Sequence, residues 1–425
     1  MAAVLDRTAQ HHAADLLAAL HGIEAPRYGF ACDTLIGPLS QPNPESDDWI
    51  AFFRDHRLLH MARAALAEGR DVINLGVGDP DQRTHQPIID AMKKALDEGA
   101  NHHYPFDAGV PQLRVEIAQW FKRRFQVDLD PSTEIHPLIG SKEGLAHFPL
   151  AVINPGDKVL LTDPAYPAYQ AAVTFAGGKI QYLPLKASQG FLPRIQDIEE
   201  AKNPRAIIVC YPNNPVAAVA NKQFYTDLVR VCTQKNIIII SDLAYSEVYY
   251  DGVKPPSILE VPGARDIAIE FHSFSKTYFM TGWRLGWACG NSQLVAALAR
   301  VKSNMDSGVF NAIQYAGIAA LRMDPAEIED MRAVYQERRD AMINGCRAIG
   351  WKIDPPQAAF YVWARVPAKF PDSMTCAKAF LDQADIVLTP GVGFGRQGEG
   401  YVRMALTVPV ERIHEAVGRM AKVLA

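Results

Sequence analysis

Four short apolar runs, residues 158–162, 206–211, 237–240 and 267–271, recur through the middle of this 425-residue chain, with amphipathic helical stretches such as 222–233 between them. That alternation constrains the fold. A parallel strand regains its starting end only through a crossover of a dozen or more residues, usually a helix. Repeated strand-helix units therefore imply a largely parallel sheet wrapped by helices, an α/β fold. Leu113, Ile117, Trp120 and Phe121 fall at i, i+4, i+7 and i+8, which predicts one more covering helix.

Around this centre the chain divides into parts. Residues 1–50 read as an N-terminal extension: 8–20 has helical spacing, but Gly37-Pro38, Pro42, Pro44 and the acidic 45–48 break it. Residues 51–70 join it to a large domain, 71–310, and helical spacing covers 50–66, ahead of a strand at 72–75. A long helical region, 291–349, breaks near Ser307-Gly308 and Asp324-Pro325. Strands at 360–365, 386–389 and 401–406 and a closing helix at 409–424 predict a smaller α+β domain, 311–425.

Composition narrows the function. Hydrophobic residues are 48% and charged residues 21%, ordinary for a globular enzyme. A net charge of −4 without a basic stripe gives no nucleic-acid surface. Six scattered cysteines with no CxxC pair fit free thiols in a reducing compartment. No apolar run is long enough to span a membrane, and the N-terminus lacks signal- or transit-peptide patterning. The expectation is a cytoplasmic protein with no membrane and no nucleic-acid partner.

In open α/β sheets, ligands bind beyond the carboxyl ends of the strands. The first run is followed by Asp163-Pro164-Ala165-Tyr166, the second by Pro212-Asn213-Asn214-Pro215, the third by Asp242 and Tyr245, and the fourth by Ser273-Phe274-Ser275-Lys276. Each alone is ordinary turn chemistry. Together they place a ring, an amide, a carboxylate, a phenol and a lysine on one edge. A lysine of lowered pKa forms a Schiff base with a carbonyl. Arg284, eight residues after Lys276, and the serines suit a phosphate.

Gly140-Ser141-Lys142-Glu143-Gly144 opens a helical stretch, 145–153, whose N-terminus is suited to a phosphate and equally to simple capping by Ser141. Arg403, in a predicted strand, suits a substrate carboxylate, and an exposed edge arginine is the competing reading. The string Gly393-Phe394-Gly395-Arg396-Gln397-Gly398 matches a dinucleotide fingerprint, but a strand follows it where a helix is required, so it is expected to form a loop near the site. His11-His12 and His102-His103 lack metal-ligand spacing, and no metal is assigned.

From about Val72 to the C-terminus the chain resembles the fold type I, class I/II pyridoxal-phosphate aminotransferases. The resemblance is carried by Tyr211-Pro212-Asn213-Asn214-Pro215, Ser241-Asp242-Leu243-Ala244-Tyr245, and Ser273-Phe274-Ser275-Lys276 with Arg284. Within that family it is similar to the LL-diaminopimelate subgroup, through residues 140–147, 280–290, 302–308 and 398–407; alanine (glutamate–pyruvate) enzymes share several of these strings. The resemblance implies pyridoxal 5'-phosphate as cofactor, with Lys276 as its covalent attachment and Asp242 on the pyridine nitrogen. Tyr245 and Asn214 would meet the phenolic oxygen and Tyr166 the ring face. Gly140, Ser141, Lys142, Ser273 and Arg284 would hold the phosphate. Tyr104 would reach the phosphate of a neighbouring copy, implying a homodimer with shared sites. Arg403, with Gly76 and Asn214 near it, would bind the α-carboxylate of an amino-acid or 2-oxo-acid substrate.

Three departures from the family pattern stand out. Val216-Ala217 replaces the usual Thr-Gly after Asn-Pro, Phe279 stands where Asn is common, and Phe52-Phe53-Arg54 occupies the place of a Pro-Pro-Tyr element. The same cofactor machinery supports other readings: alanine or broad aspartate-type transamination, or a β-lyase, which loses ammonia and needs no oxo-acid acceptor. A cofactor-sensing transcription regulator would need a helix-turn-helix, and residues 1–50 show none.

Overall fold

A computed structural model describes residues 68–425. The predicted extension 1–50, the helical spacings at 8–20 and 50–66, Cys32, His11-His12, Phe52-Phe53-Arg54 and most of the joining segment 51–70 lie outside the described residues. In chain order the strands are β1 (Ile73–Asn74), β2 (Ile135–Leu138), β3 (Lys158–Asp163), β4 (Lys179–Pro184), β5 (Pro204–Cys210) and β6 (Ile238–Asp242). They continue with β7 (Ala268–Ser273), β8 (Gly286–Gly290), β9 (Tyr361–Arg365), β10 (Ile386–Val387), β11 (Thr389–Pro390) and β12 (Tyr401–Ala405).

The central sheet has seven strands in the order β2-β8-β7-β6-β5-β3-β4. Strands β4, β3, β5, β6 and β7 are mutually parallel, and β8 runs antiparallel to both β7 and β2. The period of two along each strand sorts its residues between two cores. Leu160, Ile207, Val209 and Ile239 pack on one face, and Val159, Leu161, Ala206, Ile208 and Ile240 on the other. Each of these valines, leucines and isoleucines contributes roughly 1.5–3 kcal/mol by its burial, before the entropy of ordering is counted. β5 is buried along almost its whole length, as a central parallel strand covered on both faces should be.

The helices form where capping and patterning agree. Pro111–Phe125 starts with proline at a position that needs no N–H donor, and buries Leu113, Ile117, Phe121 and Phe125 at four-residue spacing. Lys222–Lys235 is capped by Asn221, whose side chain accepts from the Phe224 N–H at 2.8 Å. The helical region predicted at 291–349 is three helices, Ser292–Lys302, Asn311–Leu321 and Pro325–Ala348, broken at the two places expected. Among the described residues no helix is long and apolar enough to cross a membrane. The five cysteines of this part are free and buried.

Three strands, β2, β4 and β8, have no counterpart among those expected from the sequence, and the strand expected at 386–389 is two short ones, β10 and β11. β10 pairs in parallel with β1, joining the start of the described chain to its C-terminal part. β11, β12 and β9 form a separate antiparallel sheet. In that sheet Arg403 is opposite Trp363 and Ala405 opposite Tyr361, so Tyr361 is a diagonal neighbour of Arg403 on the same face.

Candidate active site

Strands β3, β5, β6 and β7 lie side by side in parallel, so their carboxyl ends share one edge. The chain runs from β3 outward to β4, then returns to β5 and proceeds the other way, which places a topological switch between β3 and β5. The carboxyl ends of these four strands and the segments just after them carry Tyr166, Asn214, Asp242 with Tyr245, and Lys276.

Lys276 sits in a single helical turn, Phe274–Thr277, started by Ser273, whose hydroxyl accepts from the Ser275 N–H at 3.2 Å. Its Nζ donates to the Gly78 carbonyl at 2.8 Å and lies 5.4 Å from the centre of the Phe360 ring. Burial pushes its pKa down to about 8; Asp79 opposes this, and the Arg403 and Arg284 guanidiniums add to it.

Asp242 ends β6 and is buried. It accepts from the Tyr169 hydroxyl at 2.5 Å and from the Ala244 N–H at 3.2 Å. Burial raises its pKa to about 6, against the lowering effect of those two donors. The Tyr245 hydroxyl meets the Tyr361 hydroxyl at 2.9 Å, and burial holds the Tyr245 phenol well above its ordinary pKa.

A second cluster surrounds Gly140, the residue before helix Ser141–Val152. Gly140 has φ 79, and a Cβ there would run into the Arg284 guanidinium. Arg284 is thereby laid against the helix start, where free N–H groups and a partial positive charge accumulate. It donates to the Thr281 carbonyl at 2.8 Å and to Ser275 Oγ at 3.4 Å. A Cβ on Gly286 would stand 2.7 Å from the Ser141 nitrogen, so glycine there leaves that N–H clear. The Lys142 ammonium lies 5.9 Å from the Tyr166 ring centre.

Arg403 is a third anchor. Nη1 donates to Asn214 Oδ1 at 2.8 Å and Nη2 to the Gly76 carbonyl at 2.6 Å, while the guanidinium lies over the rings of Tyr361 and Phe394, 4.4 and 4.7 Å from their centres. Buried and held this way, its guanidinium has a fixed planar geometry of the kind that suits a carboxylate. Phe394 belongs to the glycine string of 393–398, which forms two tight turns between β11 and β12. Tyr104 stands apart at the surface, 88% exposed.

Ser275, one of the serines expected near a phosphate, meets Arg284, while several other residues of the site carry no signal singled out in the sequence: Tyr169, Gly78, Asp79, Phe360 and Tyr361. Tyr169 lies in the helix Pro167–Phe175 that Tyr166 precedes, and the two rings meet edge to face, 5.6 Å between centres. Tyr361 carried no local signal, because its partner Tyr245 is 116 residues away. The departures at Ala217 and Phe279 both fall at left-handed backbone, φ 59 and 54. Glycine and asparagine are the residues that adopt it most cheaply, which accounts for their usual presence at these positions. Here Phe279 is held by a stack on His85 and a bond from Thr84 Oγ1 to its carbonyl at 2.6 Å.

Comparison with known proteins agrees with this geometry. The sequence model of the family described as aminotransferase class I and II matches residues 70–420. A fructosamine kinase model matches residues 2–99, under a quarter of the chain and mostly outside the described residues. An LL-diaminopimelate aminotransferase of Nitratidesulfovibrio vulgaris (strain DSM 19637 / Miyazaki F) is 52% identical over 358 residues, 84% of this chain and 92% of that protein. One from Aquifex aeolicus (strain VF5) is 52% identical over 357 residues, with the same coverage. Substrate-bound BacF from Bacillus subtilis superposes with a TM-score of 0.83 at 34% identity, covering 87% of this chain and 94% of that one. The chain belongs to the class I and II aminotransferases, pyridoxal-phosphate-dependent enzymes of fold type I that act on amino acids and 2-oxo acids.

Proposed function

We propose that this protein is an LL-diaminopimelate:2-oxoglutarate aminotransferase of lysine biosynthesis, working in the cytoplasm as a homodimer. The observation that carries the substrate assignment is the 52% identity to two LL-diaminopimelate aminotransferases over 84% of the chain.

The residues present fit pyridoxal 5'-phosphate. Gly140 and Gly286 leave open a cradle that a Cβ would fill, at a helix N-terminus faced by Arg284. In this reading Ser141, Lys142, Ser273 and Arg284 hold the phosphate, and Tyr166 covers the ring. Asp242 receives the ring nitrogen, while Tyr245 and Asn214 face the phenolic oxygen. When bound, the cofactor would supply a carbonyl that condenses with amines and a ring that accepts electron density.

The protein's own part is to bind, orient and move protons. Arg403 takes the substrate α-carboxylate; Asn214 and Gly76 stop the fork from turning, which fixes the direction of the Cα–H bond. Lys276 takes the proton from Cα and returns one, and a pKa of about 8 suits an amine for that exchange near neutral pH. Asp242, buried and anionic above about pH 6, holds a positive charge where the ring nitrogen would lie.

Two further parts belong to this reading. Tyr104, Phe106, Met305 and Phe310 are exposed on two loops that meet where Gly308 lies against Phe106, and a second copy covering that face would bury them. The large domain is 71–310 and the small one 311–425, with β1 pairing across to β10.

The test mixes cofactor-loaded enzyme separately with LL-diaminopimelate, L-glutamate and L-alanine and follows the cofactor's absorbance. Rapid change with the first two and none with alanine is expected. A response to alanine and glutamate but not to LL-diaminopimelate would overturn the substrate assignment. Turnover that releases ammonia without an oxo acid would overturn transamination itself.

A further inference from the structure

Glu143, His147 and Asp306 place their ligand atoms within 4.8 Å of one another, the arrangement of a cation site. The cation among them is the ammonium of Lys302, a lysine only 1% exposed, 2.6 Å from Asp306 Oδ1 and 3.4 Å from Glu143 Oε2. A buried lysine is costly unless its partners are fixed, and here both are. Glu143 accepts from the Ile139 N–H at 3.0 Å and from His147 Nδ1 at 2.7 Å. Asp306 accepts from the Gly308 N–H at 2.7 Å.

The two arms lead to different places. Ile139 immediately precedes Gly140 and Ser141, so Glu143 ties the backbone of the proposed phosphate cup from behind. Gly308 backs onto the loop that carries Tyr104: a Cβ on Gly308 would meet the Phe106 carbonyl at 3.3 Å and Pro105 at 3.4 Å. One ammonium therefore braces the cup of its own subunit and the loop that holds Tyr104.

We infer that Lys302 is a positioning residue that couples cofactor-phosphate binding in one subunit to the Tyr104 loop that completes the phosphate site of the neighbouring copy. The inference rests on the cofactor and dimer reading above. Lys302 touches neither cofactor nor substrate; it acts through Glu143 on Ile139 and through Asp306 on Gly308. Its removal should loosen both phosphate contacts together.

The experiment titrates apoenzyme with pyridoxal 5'-phosphate, reads the dissociation constant from cofactor absorbance, and records melting temperatures with and without cofactor. Lys302→Met should weaken binding about tenfold or more, roughly 1.4 kcal/mol, and Lys302→Arg should restore much of it. Combining Lys302→Met with Tyr104→Phe should cost less than the product of the two single effects, because both act on one contact. An unchanged dissociation constant, with melting temperature lowered equally in apo and loaded protein, would make Lys302 a plain structural ion pair and overturn the proposal. Fully multiplicative losses would overturn the coupling to Tyr104. If Lys302→Met does not fold, Asp306→Asn and Glu143→Gln each sever one arm and are read the same way. Failure of the parent protein to bind the cofactor would overturn the functional reading first, and would be seen before any variant is made.

Discussion

Tyr169 donates its hydroxyl hydrogen to Asp242 Oδ2 at 2.5 Å, with both side chains buried. A hydrogen bond to a charged group is worth about 1.5–3 kcal/mol, and this one favours the anionic carboxylate against burial. Tyr169→Phe should therefore move the acid limb of the pH-rate profile upward, with turnover at pH 7 falling about tenfold and recovering in part at higher pH. A variant that loses melting temperature while its profile stays put would show the phenol to be packing alone.

The same carboxylate is a liability to the protein without cofactor. Its folded pKa of about 6 exceeds the ordinary 3.8 of an aspartate, so the folded state binds more protons between those pH values. Stability therefore falls as pH rises from about 4 to 6, and the deficit persists above 6. The difference is worth at most roughly 3 kcal/mol. Asp242→Asn should leave turnover severely depressed while the cofactor-free protein melts higher than the parent at pH 7, and the two should converge near pH 4. An apoprotein destabilised by that change at pH 7 would contradict the burial argument.

Lys276 carries the opposite sign. Its folded pKa, about 8, lies below the ordinary 10.5, so the neutral amine is available from about pH 8 upward. The rate at which apoenzyme takes up pyridoxal 5'-phosphate should climb with pH and level off above about 8, since the neutral amine is the nucleophile. Lys276→Ala should abolish transamination, retain weak cofactor binding and lose this pH dependence. Full turnover by that variant would remove Lys276 from its assigned role.

The legible part of this protein is the part written in local chemistry. Apolar runs ended by Asp163-Pro164, Asn214-Pro215, Asp242 and Lys276 report both a strand and what its end presents. The strands that went unread lacked that contrast: β2 is Ile-His-Pro-Leu, β4 is a partly exposed edge strand, and β8 begins and ends in glycine. Contacts made across the fold leave no local mark. Tyr361 reaches Tyr245, Gly78 receives Lys276, and β1 pairs with β10 more than 300 residues later; no periodicity in any of these segments announces its partner.

Arg403 supplies a separate check on the substrate side. Truncating one partner of a buried charged contact costs about 2–5 kcal/mol, so Arg403→Ala should raise KM for the amino acid on the order of a hundredfold while changing cofactor affinity far less. Arg403→Lys should recover only a fraction, because a lysine cannot hold Asn214 and Gly76 and still offer a two-pronged contact. Equal losses of cofactor and substrate affinity would count against the carboxylate assignment.

The segment that supplies Gly76 and Gly78 to Arg403 and Lys276 is anchored a few residues on, where Arg338 holds Asp81 with two bonds of 2.7 and 2.9 Å. Arg338 is buried and also donates to the Leu406 carbonyl at 3.2 Å. Asp81→Ala would leave a buried guanidinium without its carboxylate, a change that costs about 3–5 kcal/mol when the partner is fully buried. Asp81 is partly exposed, so a loss nearer 2 kcal/mol is expected. The kinetic consequence should exceed the thermal one. With the segment's anchor gone, the carbonyls that fix Arg403 and Lys276 lose their register, so KM should rise and kcat should fall together. Replacing Arg338 and Asp81 jointly by Met and Leu should recover most of the melting temperature without restoring KM. Recovery of both would mean that the pair stabilises the fold and has no part in aiming the site.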